Sequence, residues 1–170
     1  KTKIKTNITN VIISTMMIRG EYIVMICRVK WVNYLWRIHM ITGEELRIEL
    51  EPSNCQVNID YLENLNGHSN SIILQVTTFL TPETTIILDV PNGTVSIKSQ
   101  IKYKGYNPLN YEENVVIVKD RLQMTMIYRK DFKMKSKPSN CLLKGYGAYG
   151  DSYTPEFDKH LPSLLDRGFI

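Results

Sequence analysis

The chain has 170 residues, 43% of them hydrophobic, which is enough to bury a core as one domain or as parts of two. Its 21 Lys and Arg against 17 Asp and Glu give a net charge of +4, and most of the positive charges are scattered. A nucleic-acid-binding protein concentrates its positive charge in a stripe that also carries stacking aromatics, so no nucleic acid is expected as a partner.

The apolar stretch at residues 11–18 is far too short to cross a bilayer, so we predict a buried strand there and no membrane association. The three cysteines, Cys27, Cys55 and Cys141, show no C-x-x-C spacing, and their odd number argues against a disulfide framework. These features favour a reducing, cytoplasmic location.

Short strands follow one another over the first hundred residues. We predict them at residues 21–28, 30–39, 44–50, 56–61, 71–79, 84–90 and 94–103. Strands at this spacing without helices between them are typical of a sandwich, a barrel or propeller blades. A blade takes roughly 40–45 residues, so this region would hold two blades and part of a third. The pattern alone leaves the three architectures open.

The strand at residues 30–39 has two faces of different character. One face carries Trp31, Asn33, Leu35, Arg37 and His39, and the other carries Val32, Tyr34, Trp36 and Ile38. Because successive side chains of a strand alternate, and the second set is the more apolar, we predict that the second face lies in the core.

The character of the chain changes at residue 105. Residues 114–119 and 122–130 predict two strands, 140–144 a short buried strand, and 162–167 a helical segment that ends at Gly168. Phe169 then begins another strand. An antiparallel start followed by strand, turn, helix and strand indicates the beginning of an α/β layer. The predicted fold class is mainly β with an α/β start.

A glycine- and tyrosine-rich turn follows the strand at 140–144, with the sequence Gly145-Tyr146-Gly147-Ala148-Tyr149-Gly150. Glycine lets the backbone take positive φ and approach a ligand closely, while the tyrosines project rings and hydroxyls. In open α/β sheets, ligands bind at this end of the strands. The turn is either a binding site or a place where two tyrosines pack against a neighbouring element.

The sequence contains no complete catalytic constellation. Its closest approach to a serine nucleophile elbow lacks the final glycine and lies in a polar loop, Gly67-His68-Ser69-Asn70-Ser71. The histidines His39, His68 and His160 have no metal-ligand spacing, and no phosphate-binding loop is present. We therefore predict no metal and no cofactor.

Four ordered stretches resemble the prolyl oligopeptidase family of serine peptidases, and within it the oligopeptidase B subfamily. They are Thr77-Thr78-Phe79-Leu80-Thr81-Pro82-Glu83-Thr84; Gly105-Tyr106-Asn107-Pro108-Leu109-Asn110-Tyr111; residues 124–132 around Ile127-Tyr128-Arg129-Lys130; and the Gly-Tyr turn together with Ser163-Leu164-Leu165-Asp166-Arg167-Gly168-Phe169. The set covers residues 71–170, and residues 1–70 match more loosely.

This resemblance implies a parent with a β-propeller that caps an α/β-hydrolase domain. Residues 1–104 would be the C-terminal part of the propeller, and residues 105–170 the truncated N-terminal part of the hydrolase. The parent would cleave short peptides, after basic residues, with a Ser-Asp-His triad. Tyr146 matches the family's oxyanion-hole tyrosine, and Tyr149 matches an aromatic position near the substrate.

The sequence also departs from the family pattern. No Gly-x-Ser-x-Gly elbow is present, and Lys144 and Pro162 are unusual residues at their positions. Because the chain begins at Lys1 and stops as a strand begins, we expect a fragment that is inactive alone, whose partner would be a complementary C-terminal catalytic fragment. The alternatives are a non-catalytic propeller-derived binding module or remnant, and an unrelated β-rich binding protein.

Overall fold

A computed structural model describes residues 11–29, 32–119, 122–132, 140–149 and 153–170. Sheet one is an antiparallel meander of four strands: β1 (Ile12–Arg19), β2 (Tyr22–Val29), β3 (Val32–His39) and β4 (Glu45–Glu49). Sheet two repeats this arrangement with β5 (Gln56–Ile59), β6 (Ser71–Thr77), β7 (Thr84–Asp89) and β8 (Thr94–Gln100). Two successive four-stranded meanders are the form of propeller blades, which confirms the mainly β fold class and its partial propeller.

The C-terminal part contains a hairpin of β9 (Tyr111–Val118) and β10 (Leu122–Arg129), and a short helix α1 (Leu161–Leu165). Single 3₁₀ turns, Pro108–Asn110 and Lys130–Phe132, flank the hairpin. Helix α1 ends at Leu165, and the turn that follows it reaches Gly168, whose φ of 83° is in the left-handed region that glycine tolerates best. The predicted strands at 114–119 and 122–130 and the predicted helical segment are thus found, whereas residues 140–144 and the residues from Phe169 onward do not form the predicted strands.

Residues 140–144 do not form the predicted buried strand. Two backbone hydrogen bonds in the parallel pattern link this segment to the last residue, from Leu142 N to Ile170 O at 2.8 Å and from Ile170 N to Asn140 O at 2.9 Å. Leu143 is 82% exposed. The prediction of burial is wrong because no described element packs over these side chains.

The main core lies between sheet one and sheet two. Side chains from both sheets contribute to one buried apolar cluster: Val24, Ile26, Leu35, Ile48, Leu50, Cys55, Val57, Ile72, Leu74, Val76, Ile86, Leu88 and Val90. Burial of these side chains from water is the dominant force that holds the two sheets together.

The structure reverses the predicted faces of β3. The face with Asn33, Leu35 and Arg37 is the fully buried one, and most of the more apolar face is only partly buried. Asn33 Nδ2 donates to the Cys55 carbonyl at 2.7 Å, and Arg37 Nη1 donates to the Val90 carbonyl at 3.2 Å. Carbonyl groups next to sheet two accept hydrogen bonds from these polar side chains and offset much of the cost of burying them, although Arg37 Nε has no partner among the described residues. Trp31 lies outside the described residues.

The stretch at 11–18 does form a strand, but its predicted burial is wrong. Ile12, Met16 and Ile18 are all more than half exposed. Their strand, β1, is the edge of sheet one, and no described element covers its outer face. No helix among the described residues is long and apolar enough to cross a membrane.

Candidate functional site

A large open cleft lies where the C-terminal part meets the two sheets. Its volume is about 1520 Å³. One side is formed by residues 141–147 and by β10, another by residues 153–161, and the end of the β2–β3 hairpin contributes Arg28 and Asn33. Clefts between structural units are frequent positions of ligand-binding sites.

Tyr146 lines this cleft, and 53% of its surface is exposed. Among the described residues its hydroxyl has no hydrogen-bond partner. The ring therefore does not pack into a core, which was the alternative interpretation of the Gly-Tyr turn for this residue. A free phenol hydroxyl at the wall of a cleft can donate a hydrogen bond to a bound ligand.

Tyr149 lies apart from the described lining of the cleft and is 98% exposed. Its φ is 54°, whereas Gly145 and Gly147 do not have positive φ. The expectation that these two glycines would provide the left-handed backbone is wrong, because the positive φ lies at Tyr149. Gly150 lies outside the described residues.

The segment at residues 154–160, here called the wall segment, is held against sheet two. Phe157 N donates to Thr77 Oγ1 at 3.2 Å. The Phe157 ring stacks on Tyr103 with centroids 5.3 Å apart and lies 5.2 Å from the ring of Tyr106. An ion pair of 3.6 Å between Lys144 Nζ and Asp158 Oδ2 connects the wall segment to the Gly-Tyr turn.

Tyr106 ties the same aromatic cluster to the threonine-rich turn after β6. Its hydroxyl donates to the Leu80 carbonyl at 2.5 Å, and burial raises its pKa. Within that turn, the amides of Leu80 and Thr81 donate to Thr78 Oγ1 at 3.1 and 2.8 Å. The sequence indicates both stretches but not the contact between them, because 26 residues separate Tyr106 from Leu80.

Helix α1 is fixed to the hairpin by polar contacts around Asp166. Tyr111 Oη donates to Asp166 Oδ1 at 2.9 Å, and Arg129 Nη1 donates to the same oxygen at 3.1 Å. Burial and this hydrogen bond raise the pKa of Tyr111 to about 12. These contacts place the helix at the edge of the cleft.

The predicted absence of a metal site stays a prediction. Within the described ranges, no group of three or more His, Cys, Asp or Glu side chains is arranged to hold a metal ion. His39 accepts backbone hydrogen bonds in the β3–β4 turn, and His160 precedes helix α1. Ser69, in the incomplete elbow sequence, bonds to Ser71 in a polar loop.

No protein-family model matches the chain. Protease 2 from Moraxella lacunata is 25% identical over 141 residues, which are 80% of this chain and 20% of that protein. Oligopeptidase B from Leishmania major superposes with a TM-score of 0.78 at 23% identity, over 94% of this chain and 24% of that one. Prolyl oligopeptidase B from Galerina marginata, bound to a 35mer hydrolysis and macrocyclization substrate, superposes with a TM-score of 0.74 at 18% identity, over 98% and 23%.

The chain thus spans about a fifth to a quarter of the length of the relatives it matches. The structural likeness extends across both sheets and the C-terminal part. The chain therefore has the fold of the corresponding segment of oligopeptidase B, and the resemblance to the prolyl oligopeptidase family that its motifs indicated is confirmed.

Proposed function

We propose that this chain is part of an oligopeptidase B-like serine peptidase, in which it supplies one wall of the substrate cleft and one donor of the oxyanion hole. The observation that carries the proposal is that Tyr146 lines a cleft of about 1520 Å³, with no hydrogen-bond partner for its hydroxyl among the described residues, in a chain with this fold. The location proposed for the parent is the cytoplasm.

The chemistry proposed for Tyr146 is electrostatic. When a serine attacks a peptide carbonyl, negative charge develops on the carbonyl oxygen, and a preorganised donor stabilises this charge most in the transition state. The serine, aspartate and histidine of the triad would come from another part of the parent. We therefore propose that the 170-residue chain alone does not hydrolyse peptides.

The substrate proposed is a short peptide, cut after a basic residue. The preference for a basic residue rests on the likeness to oligopeptidase B, because the described lining of the cleft contains three carboxylates, including Glu113 and Glu156, and also three lysine or arginine side chains. Tyr149 is proposed to contact the peptide, for which its fully exposed ring is available.

Replacement of Tyr146 by Phe tests this proposal in the full-length gene product. The change removes the hydroxyl and keeps the ring, so we expect kcat on an arginine-containing fluorogenic peptide to fall by about 10²–10³-fold, as for other single oxyanion donors. KM should change little, because the donor acts mainly in the transition state. Tyr153→Phe is the matched control, since Tyr153 lines the same cleft and is 55% exposed.

Three results would contradict the proposal. The first is hydrolysis of the peptide by the isolated 170-residue chain, and the second is a full-length product without peptidase activity. The third is an active full-length product in which Tyr146→Phe and Tyr153→Phe have the same kcat. An inactive full-length product would favour a binding module.

A further inference from the structure

Thr77 connects sheet two to the wall segment through its hydroxyl. The residue ends β6 and is only 9% exposed. Its Oγ1 accepts a hydrogen bond from Phe157 N at 3.2 Å and donates one to the Thr81 carbonyl at 3.1 Å. The Thr81 carbonyl accepts the hydroxyl proton, and the Phe157 amide donates to a lone pair of the hydroxyl oxygen, so both partners orient the Thr77 hydroxyl.

The Phe157 side chain is held by the same region of sheet two. Its ring contacts Tyr103 and Tyr106, and Tyr106 donates to the Leu80 carbonyl in the turn that follows Thr77. Aromatic pairs at these separations are attractive beyond the area they bury. Both the backbone and the ring of Phe157 are thus placed by sheet two.

Phe157 in turn sets the position of the next residue, Asp158. The Asp158 carboxylate lies 3.6 Å from Lys144 Nζ, and Lys144 is two residues from Tyr146. Both side chains of this pair are 45% exposed, and exposed ion pairs contribute little free energy. The pair therefore follows the placement of Asp158 and does not determine it.

We propose that Thr77 is a positioning residue for the wall segment, which shares the cleft with the oxyanion donor. Its hydroxyl fixes Phe157 and thereby the wall segment, which lines the same cleft as Tyr146 and would place the peptide carbonyl against the Tyr146 hydroxyl. This inference rests on the proposed peptidase function. It adds that a buried residue of the propeller part controls a group in the hydrolase part.

Thr77→Val in the full-length gene product tests the inference, because valine has nearly the shape of threonine and lacks the hydroxyl. We expect kcat to fall by about 10- to 100-fold, since a displacement of about 1 Å at a reacting group has effects of this size. Thr77→Ser keeps the hydroxyl and should retain kcat to within about threefold. In a Tyr146→Phe background, Thr77→Val should have no further effect, because the two residues act as one unit.

Thr84→Val is the matched control for the loss of a buried hydroxyl. Thr84 is 7% exposed in the same sheet, and its hydroxyl donates to the Pro82 carbonyl at 3.1 Å without contact to the wall segment. It should leave kcat within about twofold. Hydrogen exchange at the Phe157 amide should accelerate in Thr77→Val and stay slow in Thr77→Ser and Thr84→Val.

The outcomes separate this inference from the function on which it rests. An inactive wild-type protein overturns both. If the wild type is active, three results overturn the positioning role alone. Thr77→Val retains kcat, Thr77→Ser loses as much kcat as Thr77→Val, or the loss of kcat in Thr77→Val adds fully to that in Tyr146→Phe. Loss of kcat in Thr77→Val, rescue by serine and absence of a further loss in Tyr146→Phe support it.

Discussion

At the scale of single residues, Glu113 is a carboxylate in an unfavourable environment. It lies on β9 at the cleft, and the Asn54 side-chain amide from the loop before β5 donates to its Oε1. Burial raises its pKa, and the hydrogen bond from Asn54 offsets part of this shift. The contact joins the C-terminal part to the loop between the two sheets.

We predict that Glu113→Gln stabilises the full-length protein at pH 7. A pKa that is higher in the folded than in the unfolded state means that the folded protein disfavours the charged form, so stability is lost as pH rises through the folded pKa. Glutamine keeps an oxygen that accepts from Asn54 and carries no charge. The midpoint of thermal unfolding should therefore be higher in the variant at pH 7, and this difference should vanish near pH 4.

Glu83→Gln is the control for this measurement, because Glu83 is an exposed carboxylate in the loop before β7. Exposed substitutions of this kind change stability little. A Glu113→Gln variant that is less stable than wild type at pH 7 would show that the ionised carboxylate has a favourable partner.

At the scale of elements, two hairpin turns depend on glycine to different degrees. Gly43 in the β3–β4 turn has a φ of 74°, and a Cβ there would meet nothing within 4 Å. Gly93 in the β7–β8 turn has a φ of 68°, but a Cβ there would overlap the Cδ2 methyl of Leu46 on β4. The second turn therefore packs directly against sheet one.

We predict that Gly43→Ala costs about 1 kcal/mol, the strain of a left-handed alanine, whereas Gly93→Ala costs about 2–3 kcal/mol because an overpacking term is added. Hydrogen exchange of the amides in β4, β7 and β8 of the full-length protein measures both local changes. Equal effects of the two substitutions would mean that Leu46 moves aside without loss of packing.

The sequence predicted most strands, because turn residues separate runs of β-branched and aromatic side chains. It could not predict the buried face of β3. The count of apolar side chains favoured the face with Val32 and Trp36, whereas burial follows the face on which sheet two docks. The carbonyl groups that satisfy Asn33 and Arg37 lie 22 and 53 residues further along the chain. No local pattern contains that information.

The candidate site was predictable to a similar extent. The Gly-Tyr turn singled out Tyr146, and the structure places that residue in a cleft. Its roles and those of Tyr149 stay predictions, as does the boundary at residue 104. The contact between Thr77 and Phe157 joins residues 80 positions apart, so the sequence alone gave no sign of it.

At the scale of the whole molecule, the chain exposes apolar side chains along three surfaces. Ile18 on β1 is 55% exposed, Ile97 on β8 is 72% exposed, and Leu122 on the hairpin is 66% exposed. Both β1 and β8 are edge strands of their sheets. Long apolar edge strands are templates for association with other chains.

We predict that the isolated 170-residue chain self-associates and binds a hydrophobic dye. Ile97→Lys should shift its size distribution toward the monomer, because a lysine on an edge strand opposes strand pairing. Ser99→Lys is the control, since it adds the same charge to β8 without removing an apolar side chain. Light scattering after size-exclusion chromatography measures both. A monodisperse wild-type monomer with a sharp cooperative melt would contradict the prediction.

The buried guanidinium of Arg37 also makes the order of the two sheets along the chain matter. Its acceptors, the carbonyl oxygens of Val90 and Pro91, follow β7 in sheet two. Strands β5–β8 contain no arginine, so a duplicate of sheet two placed before sheet two would leave both carbonyls unpaired, at about 1–3 kcal/mol each. Although the two meanders have the same topology, they are not interchangeable. Their order along the chain depends on buried side chains such as Arg37.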